Sequence, residues 1–267
     1  MNRLGVVKTN KLFIGGSFVR SESGRTFAVA GDHYPLASRK DVRDAVRAAR
    51  PGYARWSAMT AYNRGQVLYR LAEMLETRRD ELRAACGGAA EVDRSIDRVV
   101  WYAGWPDKLT QVLGTSNSVA GPYLNYTTAE PMGVVGIVAP ANPPLEGLLS
   151  RLAPVLAAGN SAVVLAGEAS APAAMVLAEA LATSDLPPGA ANLLTGPVGE
   201  TAKVLAAHLD IDALDLATAA DPDELAELER LAAGGITRVV RQDATEQSLA
   251  TLAAFVELKT VWHPRAI

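Results

Sequence analysis

The sequence contains one cysteine, Cys86, among its 267 residues. A single thiol cannot form a disulfide within the chain, and the sequence therefore fits a reducing compartment. Beyond residue 130 there is no cysteine, and no Ser/His/Asp pattern that could replace a thiol nucleophile. Cys86 itself ends a predicted helix, where the partial negative charge of the helix C-terminus raises a thiol pKa. We therefore expect Cys86 to be a packing residue.

Basic patches, long apolar runs and metal-binding patterns are also lacking. The net charge is -3, and the arginines are spread between acidic residues, which excludes the basic surface that nucleic acid requires. No run reaches the roughly 20 apolar residues of a membrane helix, and the N-terminus does not resemble a signal peptide. The histidines at positions 33, 208 and 263 lack metal-ligand spacing. We expect a cytoplasmic protein without a metal site and without nucleic-acid or membrane partners.

The first 115 residues read mostly as helix, after a short predicted hairpin at KLFIGGSFVR (11–20). Ser38 followed by Asp41 forms a weak capping box, and apolar residues then recur on one helix face. Thr60 is the predicted cap of a second helix that ends at Cys86. A third helix is expected from about residue 91 to residue 113, with Pro106 bending or splitting it.

From residue 133 the pattern changes to short apolar runs that alternate with helical segments. The runs are GVVGIV, SAVVLA, ANLLT, DALDLA and TRVV. Continuous apolar strands that alternate with helices are typical of a parallel sheet covered on both faces. The sequence therefore predicts an α/β fold, a Rossmann-like doubly wound sheet of about five strands, with an N-terminal helical region.

Two further strands do not fit this alternation and predict a β arm. One lies within residues 121–132, where aromatic and threonine residues alternate, and the other lies in FVELKTVWHP near the C-terminus. A terminal strand without a following helix needs a partner edge. The predicted parts are a helical part at 1–120, an arm formed by 121–132 with 255–267, and a Rossmann-like unit at 133–254.

Four motifs, in this order, resemble the cofactor domain of the aldehyde dehydrogenase superfamily. They are EPMGVVGIVAPANPP (130–144), APVLAAGNSAVV (153–164), Glu168 and DLPPGAANLLTG (185–196). WYAGWPDKL and ELKTV also resemble segments of that family. The resemblance covers nearly the whole chain, but the chain is about half as long as a full member. It is similar to a truncated form without the catalytic domain, and to the degenerate second half of two-domain members.

The resemblance implies a catalytic cysteine, a glutamate base and an asparagine that helps to hold the oxyanion. Only the asparagine has a counterpart here, Asn142 in the PANPP turn. An amide donor at an oxyanion is worth about 100- to 1000-fold in rate, but it needs a nucleophile. Asn142 is otherwise a helix cap or a turn residue, which is the interpretation we favour. Arg151 stands where the family often has a lysine, and we expect it to be a charge on a helix surface.

The resemblance also implies a nucleotide grip that this chain has lost. Leu165 stands at the family's ribose-binding lysine, and Glu168 stands at its glutamate. In LATAAD (216–221), Thr218 and Ala219 replace a Gly-Ser pair, and an aspartate follows where it would repel phosphate. Gly196 is retained. We therefore expect no cofactor, with Glu168 and Gly196 as vestiges of a site for NAD or NADP.

The first functional hypothesis is a non-catalytic subunit, a pseudoenzyme that assembles with itself or with a full-length aldehyde dehydrogenase. In the family, the arm strands pair across subunits. The predicted oligomerisation residues are Tyr123, Asn125, Tyr126, Thr127, Leu258, Lys259, Thr260 and Val261. The alternatives are an NAD(P)-dependent aldehyde oxidoreductase with residual activity and a nucleotide-binding module without turnover.

Overall fold

A computed structural model describes residues 8–86, 88–217 and 221–265. The strands are β1 (Leu12–Ile14), β2 (Ser17–Val19), β3 (Thr26–Val29), β4 (Asp32–Pro35), β5 (Thr115–Asn117), β6 (Tyr123–Pro131), β7 (Val134–Val138), β8 (Ser161–Ala166), β9 (Ala191–Thr195), β10 (Ala213–Asp215), β11 (Arg238–Val240) and β12 (Val256–Pro264). The helices are α1 (Arg39–Ser57), α2 (Ala61–Thr77), α3 (Arg79–Cys86), α4 (Ala89–Ala103), α5 (Leu109–Leu113), α6 (Pro144–Ala157), α7 (Ala171–Ala182), α8 (Val198–Ala206), α9 (Pro222–Ala232) and α10 (Leu249–Ala253).

The central sheet has the strand order β11-β10-β7-β8-β9-β1-β2. Its first five strands run parallel, which confirms the predicted Rossmann-like α/β fold. The predicted hairpin adds β1 and β2 antiparallel to the edge at β9, so the sheet is wider than the five strands expected. After β9 the chain returns to the other side of β7, which makes the β7–β10 boundary the switch point of the sheet.

Alternate residues of the buried strands enter two separate cores. In β8, Val163 and Leu165 pack with α1 and α8, whereas Ala162 and Val164 pack with the helices of the opposite face. This arrangement follows from the alternation of side chains along a strand. Both faces of the sheet are therefore covered, and the carboxyl ends of the strands are where a site can form.

The predicted helix starts of the N-terminal part are confirmed. Ser38 and Asp41 form a capping box, and the Thr60 hydroxyl accepts a hydrogen bond from the Asn63 N–H at 3.3 Å. The second predicted helix is two helices, α2 and α3, which are separated at Arg78. The third predicted helix is also two helices. α4 ends at Ala103 and α5 begins at Leu109, and the segment between them contains Pro106, which cannot continue the hydrogen-bond ladder.

The β arm is a separate three-stranded sheet with the order β12-β6-β5. β12 pairs antiparallel with β6 over nine residues, from Val256 opposite Pro131 to Pro264 opposite Tyr123. The Lys259 ammonium and the Glu130 carboxylate form an ion pair across the two strands at 2.5 Å. The division of the chain into three parts at residues 120 and 133 stays a prediction.

Candidate functional site

The turn after β7 carries Asn142 and leads directly into α6. Asn142 is exposed at the carboxyl end of the sheet, where ligands of open α/β folds bind. The residue at the cap position of α6 is Pro143, and no side chain caps the helix from there. Asn142 is thus a turn residue, and its interpretation as a helix cap is wrong. Its role as a vestigial oxyanion donor stays a prediction.

Glu91 of α4 occupies the amide groups at the start of α6. Its Oε1 accepts hydrogen bonds from the Leu145 N–H at 2.7 Å and the Glu146 N–H at 3.1 Å. The amides at a helix N-terminus attract anions, because they are unpaired and carry partial positive charge. Here the protein supplies its own carboxylate to these amides, and an oxyanion would have to compete with it.

Cys86 lies close to the same helix start, which the sequence analysis did not foresee. The thiol is half-buried and faces the Leu145 amide. Burial raises the pKa of the Cys86 thiol to about 12, and the negative charge of Glu91 adds to the rise. A thiol must lose its proton to attack a carbonyl. A thiol with this pKa is protonated at neutral pH, and burial together with the charge of Glu91 is the cause.

Arg151 of α6 and Asp215 at the end of β10 form a fully buried ion pair. Arg151 donates from Nε to Asp215 Oδ2 at 2.6 Å and from Nη2 to Asp215 Oδ1 at 3.1 Å. Both side chains are 0% exposed, so the expectation of a surface charge at position 151 is wrong. The reason is that Asp215 ends a buried strand and needs a partner. Burial raises the pKa of the Asp215 carboxyl, and the Arg151 guanidinium opposes this rise.

The segment that follows β11 covers the same end of the sheet. Arg98 donates to the carbonyl oxygens of Ala244 at 3.2 Å and Thr245 at 3.3 Å, and it also pairs with Glu146 at 3.3 Å. Arg151 Nη1 reaches the Asp243 carbonyl oxygen at 3.5 Å. The segment thereby becomes one wall of a small cavity of about 190 Å³. This cavity is lined by Pro140, Asn142, Pro143, Glu146, Gly147, Ser150, Ala244 and Thr245.

The residues at the vestigial nucleotide positions face the protein itself or open solvent. Leu165 is 2% exposed and packs in the core beside α1 and α8. Gly196 has φ +135°, and a Cβ there would lie 2.9 Å from Leu36, so the glycine is needed for packing within the chain. Glu168 is exposed in a single 3-10 turn. Thr218 and Ala219 lie outside the described residues.

A groove of about 710 Å³ lies beyond Gly196, between α8 and α9. Five acidic side chains line it against two basic ones, Arg25 and Lys203, and Lys203 is already paired with Glu227 at 3.1 Å. Asp221 accepts a hydrogen bond from the Asp223 N–H and so caps α9. The groove therefore presents negative charge to any pyrophosphate. The acidic residues are Glu200, Asp221, Asp223, Glu224 and Glu227.

All eight predicted oligomerisation residues lie together on β6 and β12. Asn125 is only 2% exposed, because Asn117 of the neighbouring strand covers it and donates to its side-chain oxygen at 2.5 Å. The other seven remain accessible to a partner to different degrees. Among the described residues, no helix is long and apolar enough to cross a bilayer, and no group of three or more potential metal ligands is present.

The functional residues that the sequence analysis missed are Glu91, Arg98 and Asp215. One signal was available for the last of these. DALDLA places an acidic residue inside an apolar strand, and Arg151 stands inside an apolar helix. Buried charges require partners of opposite sign, so the two could have been paired from the sequence. Glu91 and Arg98 gave no such signal, because a charged residue in a predicted amphipathic helix is ordinarily assigned to the exposed face. Both residues are in fact buried.

These features define a Rossmann-type α/β unit in which contacts within the protein occupy the start of α6 and the end of β10. Residues 28–221 match the Aldehyde dehydrogenase family, and the chain belongs to that family. It is 30% identical over 226 residues to "Aldehyde dehydrogenase, cytosolic 1" of Elephantulus edwardii, covering 77% of this chain and 44% of that protein. It is 32% identical to a cytosolic 10-formyltetrahydrofolate dehydrogenase of Pongo abelii, over 79% of this chain and 26% of that protein.

Solved structures agree with this assignment. PnpE from Pseudomonas sp. WBC-3 superposes with a TM-score of 0.79 at 26% identity, over 87% of this chain and 50% of that one. An aldehyde dehydrogenase from Bacillus cereus, solved as an NAD+ complex, gives 0.77 at 27% identity over the same shares. The matches confirm the expected family. The chain spans about half the length of these two proteins, which is consistent with a truncated form.

Replacing Arg151 by alanine should destabilise the fold strongly, because it leaves the Asp215 carboxylate buried without a partner. We expect the free energy of unfolding to fall by about 3–5 kcal/mol in urea denaturation. The double variant Arg151→Met, Asp215→Leu should recover most of this loss. As a control, Arg83→Ala breaks an exposed pair with Asp80 and should cost less than about 1 kcal/mol. Equal losses in Arg151→Ala and Arg83→Ala would show that the buried pair contributes no more to stability than the exposed one.

Glu91→Gln should make Cys86 more reactive, because it removes the negative charge that raises the thiol pKa. The amide oxygen of glutamine can still accept the hydrogen bonds of α6, so the helix start is preserved. Alkylation by iodoacetamide at pH 8.5, followed by mass spectrometry, should accelerate several-fold. Glu81→Gln, on the exposed side of α3, serves as the control and should leave the rate unchanged. An unchanged rate in Glu91→Gln would show that Glu91 does not suppress the thiol.

NAD and NADP should bind this chain no more tightly than a Kd of about 1 mM, a binding free energy of about -4 kcal/mol. The acidic groove repels the pyrophosphate, and the buried Leu165 offers no hydrogen bond to the ribose. Isothermal titration calorimetry measures the affinity directly, with a full-length aldehyde dehydrogenase as the positive control. Saturable binding with one dinucleotide per chain at micromolar concentration would contradict this expectation.

Proposed function

We propose that this chain is a non-catalytic aldehyde-dehydrogenase-like subunit that acts in the cytoplasm through assembly with itself or with a full-length aldehyde dehydrogenase. The observation that carries the proposal is the arm sheet, which projects large apolar side chains into solvent. Exposed apolar surface of this kind is a sign of a protein interface. The exposed apolar residues of the arm are Tyr123, Leu124, Tyr126, Leu258, Val261 and Trp262.

The carboxyl end of the sheet supports the same conclusion, since it is occupied by structural contacts. Arg151 and Asp215 neutralise each other, and Glu91 takes the amides of α6. The Cys86 thiol has a pKa of about 12, so it is a poor nucleophile. An aldehyde bound at the Asn142 turn would meet no activated group among the described residues. The role of the subunit is then to stabilise, localise or regulate a partner.

Two alternatives make different predictions. An aldehyde oxidoreductase with residual activity would use NAD or NADP, as the NAD+ complex of the Bacillus cereus relative does, and Cys86 would be its only thiol. A nucleotide-binding module would bind the dinucleotide without turnover. NAD(P) reduction by the isolated chain with several aldehydes, abolished by Cys86→Ala, would favour the first alternative.

The assembly role is tested by co-expressing the tagged chain with the full-length aldehyde dehydrogenase of the same genome. We expect the relative to co-purify and a mixed oligomer to appear by size-exclusion chromatography with light scattering. The double variant Tyr126→Lys, Leu258→Lys should weaken this association at least tenfold, because it places charge on the apolar arm. Leu209→Lys changes an exposed leucine outside the arm and should have no effect. Separate species for the unaltered chain, together with a monomeric chain on its own, would refute the proposal.

A further inference from the structure

The outer face of α1 carries a row of arginines. Arg39, Arg43 and Arg47 are four residues apart, so they lie on one face of the helix with about 6 Å along its axis from one to the next. All three are exposed. No basic run is visible in the sequence, because three other residues separate each arginine from the next. The helix therefore creates a positive surface that the order of residues does not show.

The N-terminal part of this row forms one wall of a groove of about 770 Å³ between α1 and α8. The opposite wall comes from α8 and its end, through Glu200, Val204 and His208. Four basic side chains line the groove against two acidic ones, Glu22 and Glu200, and Glu22 is already paired with Lys40 at 3.3 Å. The groove on the other side of α8 has the opposite charge. The basic residues of the α1–α8 groove are Arg25, Arg39, Lys40 and Arg43.

The arginine row is unfavourable for α1 itself. Like charges four residues apart on a helix repel each other, and a cation in the first turn, such as Arg39, opposes the helix dipole. Of the two acidic residues of α1, Asp41 is buried in the capping box and Asp44 lies 3.9 Å from Arg43. Neither Arg39 nor Arg47 has an ion-pair partner within residues 8–86, 88–217 and 221–265. Local costs without compensation in the fold are typical of functional positions.

We propose that the arginine row and the α1–α8 groove bind a short acidic segment of a partner protein. Alternate residues of an extended chain are about 6.6 Å apart, and every fourth residue of a helix is about 6 Å from the next. Carboxylates at either spacing match the row, so that successive acidic residues each meet a guanidinium. Guanidinium–carboxylate pairs form strong, directional hydrogen bonds. The row extends over about 12 Å from Arg39 to Arg47, so one compact anion reaches only part of it.

A nucleic acid fits this surface less well than an acidic segment. The whole chain has a net charge of -3, and five acidic side chains line the neighbouring groove between α8 and α9. The attraction is thus confined to little more than two turns of one helix and the groove beside it. Nucleic-acid binding depends on neutralising many phosphates over a wider basic surface. A segment of a few acidic residues gains the full attraction of the row without entering the acidic groove.

This site is independent of the proposed assembly through the arm. α1 packs on the central sheet through Val42, Ala45 and Val46, whereas the arm is a separate sheet. The acidic segment would therefore bind whether or not the arm is occupied. A partner that carries such a segment would gain a second point of contact with this chain.

Fluorescence anisotropy tests the site with a labelled ten-residue peptide of alternating glutamate and serine. We expect saturable one-to-one binding at about 50 mM salt that weakens as salt is raised, because exposed charge pairs are screened. The double variant Arg39→Gln, Arg43→Gln should raise the peptide Kd about tenfold. Arg70→Gln, Arg83→Gln is the matched control. It removes two exposed arginines of α2 and α3, makes the same change in net charge, and should leave the Kd unchanged.

Thermal unfolding separates a binding role of the row from a structural one. Arg39→Gln, Arg43→Gln should unfold at the same temperature as the unaltered chain or at a higher one, because the substitutions relieve repulsion along α1. Weaker peptide binding in a variant of undiminished stability is the expected combination. A lower Tm would show that the row stabilises the fold, and would overturn the proposal.

Three binding results would also overturn it. They are no saturable binding of the peptide, an equal loss in the Arg70→Gln, Arg83→Gln control, and tighter binding of a ten-nucleotide single strand than of the peptide, which would identify nucleic acid as the ligand. Displacement of the peptide by an equal concentration of inorganic pyrophosphate would indicate a site for a compact anion instead. The arm variant Tyr126→Ser, Leu258→Ser should bind the peptide as the unaltered chain does, so this test and the assembly test can fail separately.

Discussion

The buried ion pair between Arg151 and Asp215 is the constraint on which the end of the central sheet depends. It lies at the switch point, beside β7, where an open α/β sheet ordinarily leaves room for a ligand. Arg151 also stacks over the Phe255 ring, with the guanidinium carbon 5.5 Å from the ring centroid, and so connects α6 to the start of the arm strand. One pair of charges thus holds the sheet end, the segment after β11 and the base of the arm in a single arrangement.

The carboxyl end of the central sheet and the arm differ in the polarity of what they expose. At the sheet end, charges are paired inside the protein, by Glu91 on the α6 amides and by Arg98 on the segment after β11. In the arm, apolar side chains and strand edges are left in solvent. Charged groups that are paired within the protein are not available to bind a ligand, whereas an open strand edge can add a strand from another chain. The proposed assembly through the arm depends on this difference.

Much of the fold could be predicted from the sequence, because it depends on local patterns. The apolar runs gave the parallel strands, and Ser38 and Thr60 marked helix starts correctly. The helix break at Arg78 was missed, since no proline or glycine marks it. The site was harder, because its contacts join distant residues. Arg151 and Asp215 are 64 positions apart. Arg151 was interpreted alone, and Asp215 was read only as part of an apolar run. Cys86 was placed by sequence far from Asn142, but tertiary packing brings it to the first turn of α6.

The capping of α6 by Glu91 has a consequence for protein engineering. A cysteine introduced near Asn142 would not by itself create an acyl-transfer site, because Glu91 already occupies the α6 amides that would stabilise a developing oxyanion. A designer would first have to remove that carboxylate from α4, and the helix would then need another acceptor for its free amides. An engineered acyl-transfer site at this turn would therefore require at least two coordinated substitutions.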